Sequence, residues 1–170
     1  TTSPAPRCRS TAAGPRSKPM RIEAADLDSP AFAALLAEHR SAMQATAPAE
    51  SQHALDLDGL RQPHVRVWVL REGERLLGCG ALQHLDDTHV EIKAMRTARD
   101  QQRRGVGKAM LAHLLTEARA GGYARASLET GSMDYFAPAR TLYAAAGFLP
   151  CGPFADYVDD PHSTYMTLAL

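Results

Sequence analysis

Apolar and polar positions alternate in several short stretches of the chain and recur at helical spacing in others. Val65-Arg66-Val67-Trp68-Val69-Leu70 alternates as a strand, Arg71-Glu72-Gly73-Glu74 reads as a hairpin turn, and Leu76 to Leu85 is the return strand. Gly78 and Gly80 inside that return strand predict a bulge or a close backbone approach. Arg21 to Ala24 reads as a short first strand. Ser29-Pro30 then starts a helix in which Phe32, Leu35, Leu36, His39 and Met43 recur at helical spacing through Thr46. Ala47-Pro48-Ala49 breaks it, and Ser51 to Leu60 holds a second short helix. The central strand follows Asp86-Asp87-Thr88-His89, with Val90, Ile92 and Ala94 alternating against Glu91, Lys93 and Met95. A long helix from about Arg104 to Ala120 carries Met110, Leu111, Leu114, Leu115 and Ala118 on one face and stops at Gly121-Gly122. Tyr123 to Thr130 is the next strand, Tyr135 to Ala146 a helix ended by Gly147, and Phe148–Cys151 and Ser163–Leu170 the last strands. This order predicts an α/β (α+β) domain: a mixed sheet of about seven strands with helices on both faces.

Between the central strand and the long helix lies a polar loop that ends in Arg103-Arg104-Gly105-Val106-Gly107-Lys108. A strand, a glycine loop and a helix start in that order make an anion site. Unpaired N–H groups and the helix dipole both favour negative charge, and glycine lets the backbone approach a phosphate. Arg103, Arg104 and Lys108 add formal charge in the same place. A P-loop is excluded because Gly107-Lys108 is followed by Ala109 and the first glycine position is Gln102. A dinucleotide fingerprint is excluded because Met110 stands where the third glycine would be.

What remains, Gln102-Arg103-Arg104-Gly105-Val106-Gly107, resembles the Q-x-x-G-x-G pyrophosphate loop of the GNAT N-acetyltransferase family. Downstream, Ala139-Arg140-Thr141-Leu142-Tyr143-Ala144-Ala145-Ala146-Gly147-Phe148 is similar to the family's second signature, A-x-x-L-Y-x-x-x-G-F, in the same order along the chain. The resemblance covers roughly residues 20 to 170. It implies that two central strands splay apart and that the pantetheine arm of acetyl-CoA enters the gap. Met95, Arg96 and Thr97 would meet it with their backbone, and Gln102 to Lys108 would cradle its pyrophosphate, Val106 included. An Asn commonly stands seven residues before the family tyrosine; here that position is Phe136. Tyr143 matches the tyrosine that often protonates the departing CoA sulfur; its other role would be packing on the sheet with its hydroxyl bonded locally. Glu91 lies eleven residues before Gln102, the spacing of the general-base glutamate in the histone-acetyltransferase branch. Its other role would be a strand carboxylate paired to Lys93 or an arginine. A strand N–H near Met95 would hold the oxyanion. The first two helices usually border the acceptor site in this family, which makes His39, Arg40, Met43, Ser51 and His53 acceptor contacts; the alternative is an ordinary amphipathic face or loop.

Composition narrows the partners. Lys and Arg number 19, and so do Asp and Glu, so the neutral balance disfavours a general nucleic-acid or membrane-surface binder. Cys8, Cys79 and Cys151 are odd in number and widely spaced, which suggests a reducing, cytoplasmic setting without disulfides; Cys79 reads as a small buried hydrophobe. The seven histidines show no metal-binding spacing, so no metal is expected. Residues 1–19 lack acidic residues and apolar periodicity and read as a disordered or appended tail, with family-like sequence beginning at Met20. No Ser-His-Asp pattern or G-x-S-x-G supports an acyl-enzyme. The expected activity is acetyl transfer from acetyl-CoA to a primary amine of a small molecule, directly in a ternary complex. A peptide or protein acceptor and a non-catalytic acyl-CoA-binding module stay open, as does a homodimer. A closed acceptor pocket would favour the small molecule.

Overall fold

The structure, a computed structural model, describes residues 18–46, 48–49 and 53–170. The expectations for Ser51 and for most of the 1–19 tail lie outside the described residues.

Seven strands form one sheet in the order β1-β2-β3-β4-β5-β7-β6. They are β1 (Met20–Ala24), β2 (Val65–Glu72), β3 (Arg75–Asp86), β4 (His89–Thr97), β5 (Arg125–Gly131), β6 (Leu149–Cys151) and β7 (Ser163–Ala169). Only β4 and β5 run parallel among the neighbouring pairs. Helices cover both faces, so β2 is apolar on both sides: Trp68 and Leu70 enter one core, Val67 and Val69 the other. On the first face, α3 (Val106–Ala120) and α4 (Ala137–Ala145) pack their apolar stripes on Leu82, Val90 and Ile92. On the second, α1 (Pro30–Gln44) and α2 (Leu57–Leu60) pack Phe32, Leu35 and Leu60 on Cys79 and Ala81.

Helix starts differ from the periodicity for local reasons. The long helix begins at Val106, two residues later than its pattern suggests, because Arg103 (φ 64°) and Gly105 (φ 78°) are left-handed. The second short helix is only Leu57–Leu60, set by Asp56, whose carboxylate accepts from Gly59 N–H at 2.8 Å. A 3₁₀ turn, Asp134–Phe136, precedes α4, whose first turn contains Pro138.

The main departure is in β4. The predicted alternation holds to Lys93 and then fails. Cys79 faces Arg96 and Ala81 faces Lys93, so two residues of β4, Ala94 and Met95, stand opposite Gly80 alone. This is a β-bulge, with Ala94 at φ 52°. The extra residue reverses side-chain parity. Met95 packs with Ile92 on the α3 face rather than beside Glu91, and Arg96 joins Glu91 and Lys93 on the α1 face, where it meets His39. The buried Cys79 thiol donates to the Ala94 carbonyl at 3.2 Å, and burial pushes its pKa up to about 12, the behaviour of a packing residue.

Both strand glycines make close approaches. A Cβ on Gly78 would lie 2.3 Å from the Arg96 carbonyl oxygen, and one on Gly80 would lie 2.8 Å from Met110. A Cβ on Gly105 would meet nothing within 4 Å, leaving only its backbone angle to resist substitution. Gly78→Ala is therefore expected to lose about 3 kcal/mol or more, and Gly105→Ala about 1 kcal/mol. Urea unfolding of the two variants checks this; equal losses would mean that β3 and β4 part freely to admit a methyl.

Candidate active site

The parallel pairing of β4 with β5 ends at Ile92–Leu128, although β4 runs on to Thr97 and β5 to Gly131. Beyond that point β4 stays with β3 and β5 stays with β7. The strands part, and the edge of β4 from Lys93 to Thr97 has no strand partner on the β5 side. A cavity of about 780 Å³ fills the opening.

At one end the cavity reaches Gln102, Arg103, Gly105, Val106, Gly107 and Lys108. The left-handed residues Arg103 and Gly105, with Arg104 between them, turn the loop into the α3 N-terminus, whose free N–H groups suit an anion. Arg103 and Lys108 make no ion pair with a described residue. Arg104 corrects an expectation: its guanidinium turns away to Glu72 (2.9 Å) and Gln101, so its charge braces the loop from outside the cavity.

Along the middle run Met95, Arg96 and Thr97 on one side and Gly131, Phe136 and Tyr143 on the other. The Phe136 ring lies over Gly131, where a Cβ would come within 2.2 Å of it. Arg140, from the second signature, holds this corner by donating to the carbonyls of Gly131 (2.6 Å) and Met133 (3.0 Å). Tyr143 packs its ring edge on Phe148, and its hydroxyl makes no hydrogen bond to a described residue. Burial pushes its pKa up to about 12, so it is a neutral phenol at ordinary pH.

At the far end, on the α1 face, lies a buried polar cluster. Glu91 is 2% exposed, and one of its oxygens accepts from Tyr157 O–H at 2.7 Å and from Lys93 Nζ at 3.0 Å. Burial and the Glu91 carboxylate both push the Tyr157 pKa up. Glu129, on β5, accepts from Ser163 at 2.8 Å, and burial raises its pKa. His53 stacks edge-on against Tyr157 at 5.1 Å. Both carboxylates, Lys93, Tyr157 and His53 line the same cavity.

Of the acceptor contacts expected from the helices, His39, Met43 and His53 line the cavity; Arg40 is exposed and does not. His39 takes a hydrogen bond from Arg96. Sequence reasoning missed Glu129, Tyr157 and the Arg96 side chain. Tyr157 sits in the aperiodic β6–β7 connection, where a lone aromatic gives no pattern. Among the described residues no cluster of side chains could hold a metal ion, and no helix is long and apolar enough to cross a membrane.

The acetyltransferase (GNAT) family model matches residues 32–148. The chain belongs to the GNAT acetyltransferase family. It is 49% identical to "Uncharacterized N-acetyltransferase YsnE" of Bacillus subtilis over 151 residues, covering 89% of this chain and 100% of that one. Among solved structures, an acyl-CoA N-acyltransferase of Klebsiella pneumoniae is 26% identical with a TM-score of 0.71, covering 89% of this chain and 97% of that one. A GNAT acetyltransferase from Elizabethkingia anophelis with acetyl-CoA bound shares the fold at 18% identity and a TM-score of 0.65, covering 89% and 98%. The chain is thus an acetyltransferase of a known fold, with its two signatures at the parted strands.

Burial of Glu129 generates a pH prediction. A carboxyl whose folded pKa lies above its unfolded value adds stability at low pH and loses it as pH rises through the folded value. Glu129→Gln keeps an acceptor for Ser163 and removes the titration. Relative to the native chain, the variant's melting temperature is expected to rise between pH 4 and pH 8. A constant or falling difference would show that the carboxylate is well solvated.

Proposed function

We propose that residues 20–170 form an N-acetyltransferase domain that moves the acetyl group of acetyl-CoA directly to a primary amine of a small molecule. One observation carries this: a single cavity joins the anion-binding start of α3, the unpaired edge of β4 and a buried carboxylate. Acetyl-CoA fits that layout, with pyrophosphate at Arg103–Lys108 and pantetheine against Met95–Thr97. The acetyl-CoA held by a relative of the same fold supports it. The acceptor end is lined by Tyr157, His53, Glu91 and Lys93, polar groups suited to a small charged acceptor. The free thiols of Cys79 and Cys151 agree with a cytoplasmic setting.

The chemistry needs a free amine, a held oxyanion and a proton for sulfur. Glu91 accepts the proton of the incoming ammonium. The amine attacks the thioester carbonyl, whose oxygen takes the negative charge beside the β4 amides near Met95. The C–S bond then breaks, the sulfur takes a proton from Tyr143, whose hydroxyl is neutral, unpaired and on the cavity, and the nitrogen's second proton leaves to solvent, from which Tyr143 is reprotonated.

A panel of primary amines with acetyl-CoA, followed by release of free thiol, tests the activity. Acetyl-CoA that binds and is never consumed with any amine would leave only a binding module. Tyr143→Phe keeps the ring against Phe148 and removes the acid, so turnover should drop by ~10²-fold with little change in acetyl-CoA affinity. Unchanged turnover would assign Tyr143 to packing.

Glu91→Gln should lower turnover by ~10²-fold near neutral pH, with the loss shrinking as pH rises and free amine accumulates. A loss that is the same at every pH would make Glu91 a positioning residue, and no loss would remove it from the chemistry.

A further inference from the structure

The bulge at Ala94 places Arg96 on the α1 face, in line with Glu91 and Lys93 and lining the cavity. Lys93 is neutralised by Glu91 at 3.0 Å. Arg96 makes no ion pair with a described residue, and the Glu38 carboxylate acts on it only from beyond ion-pair distance. Burial pushes its pKa down to about 10, which leaves it a cation at neutral pH. Its one polar contact is to His39 Nε2. Arg96 Nε and His39 Nδ1 are both buried without a partner among the described residues. Arg96 therefore lines the cavity as a cation without an ion pair, and the two buried nitrogens lie behind it in the wall. A buried cation without a counter-charge is costly, and an anion supplied by a ligand removes that cost.

We infer that Arg96, held by His39, binds a carboxylate of the acceptor, so that the substrate class is an amino acid whose amine is directed to Glu91. This rests on the acetyltransferase function proposed above and adds the class of amine. The geometry suits it. Arg96 and Glu91 stand on one face of one strand, a cation for the carboxylate and an anion for the ammonium. A zwitterion is thereby oriented in one direction only. Leu36, Met43 and Tyr135 give the surrounding wall an apolar part for the side chain.

The test pairs each amino acid with its decarboxylated amine: methionine with 3-(methylthio)propylamine, leucine with isopentylamine, phenylalanine with phenethylamine. Thiol release gives kcat/KM for each, and calorimetry gives acetyl-CoA affinity separately. Native protein should favour the carboxylate member of at least one pair by tenfold or more. Arg96→Gln should lose that preference through KM, with acetyl-CoA affinity unchanged, and Arg96→Lys should recover part of it. A melting curve for each variant confirms folding, and if Arg96→Gln does not fold, Arg96→Lys and His39→Asn carry the comparison. Equal or better use of the decarboxylated amines by native protein overturns the inference and leaves the acetyltransferase standing. Acetyl-CoA binding with no amino acid turned over overturns it as well. Loss of acetyl-CoA affinity in Arg96→Gln would give Arg96 to the cofactor instead. Failure of native protein to bind acetyl-CoA would sink the proposed function itself.

Discussion

One extra residue in β4 governs the rest of the structure. With Ala94 held at φ 52°, the strand bends and its ladder to β5 stops at Ile92. A left-handed alanine costs about 1 kcal/mol or more. The surroundings hold it there: the Cys79 thiol donates to its carbonyl, and Gly78 and Gly80 give β3 the space to follow the distorted strand. A methyl at Gly78 would strike the Arg96 carbonyl, so the glycine is a requirement of the bulge and not a weakness in the strand. The same local distortion opens the gap, exposes strand amides to it and reverses the parity that sends Arg96 to the acceptor side. The parted strands and the placement of Arg96 therefore have a common origin.

Much of the fold was legible in the chain, because both faces of the sheet are covered and the apolar stripes are strong. The stripe Met110, Leu111, Leu114, Leu115 and Ala118 is buried as the spacing implied. The strand, glycine loop and helix were legible in that order, but the left-handed angles at Arg103 and Gly105, which delay the helix to Val106, were not. The bulge was half legible: Gly78 and Gly80 announced an irregularity, but Ala94, which carries the unusual angle, is a residue that gives no sign of one. Strict alternation therefore placed Met95 beside Glu91, when one added residue moves it to the opposite face. Arg104 misled for a related reason. Sequence gives charge but not direction, and Glu72, distant in the chain, decides where that guanidinium goes. Tyr157 was invisible because a connection without periodicity does not reveal what it covers.

The buried cluster around Glu91 is poorly explained by stability. An ion pair taken out of water regains its desolvation cost only with good geometry and further hydrogen bonds, and apolar residues of similar size often serve as well. Here the carboxylate keeps Lys93 and Tyr157 on one oxygen, and the second carboxylate, Glu129, lines the same cavity. Two acids in a buried site repel, and Glu129 responds by shifting toward its neutral form as burial demands. A cavity that maintains such groups is arranged for a polar ligand.

Lys93 sits 3.0 Å from the Glu91 carboxylate that the proposed mechanism uses as base. The same cation acts on the substrate. An acceptor arriving as ammonium places a positive charge beside Lys93, and like charges favour the neutral amine. The Tyr157 oxygen, which donates its proton to Glu91, already accepts from Lys93 and offers an ammonium only a weak acceptor. Arg96 tips the balance further on the substrate side if its carboxylate is bound there, by holding the amine at a fixed distance from both charges. On this view the cluster prepares a nucleophile chiefly by making the ammonium state of the acceptor unfavourable, and Glu91 receives a proton that its neighbours have already loosened.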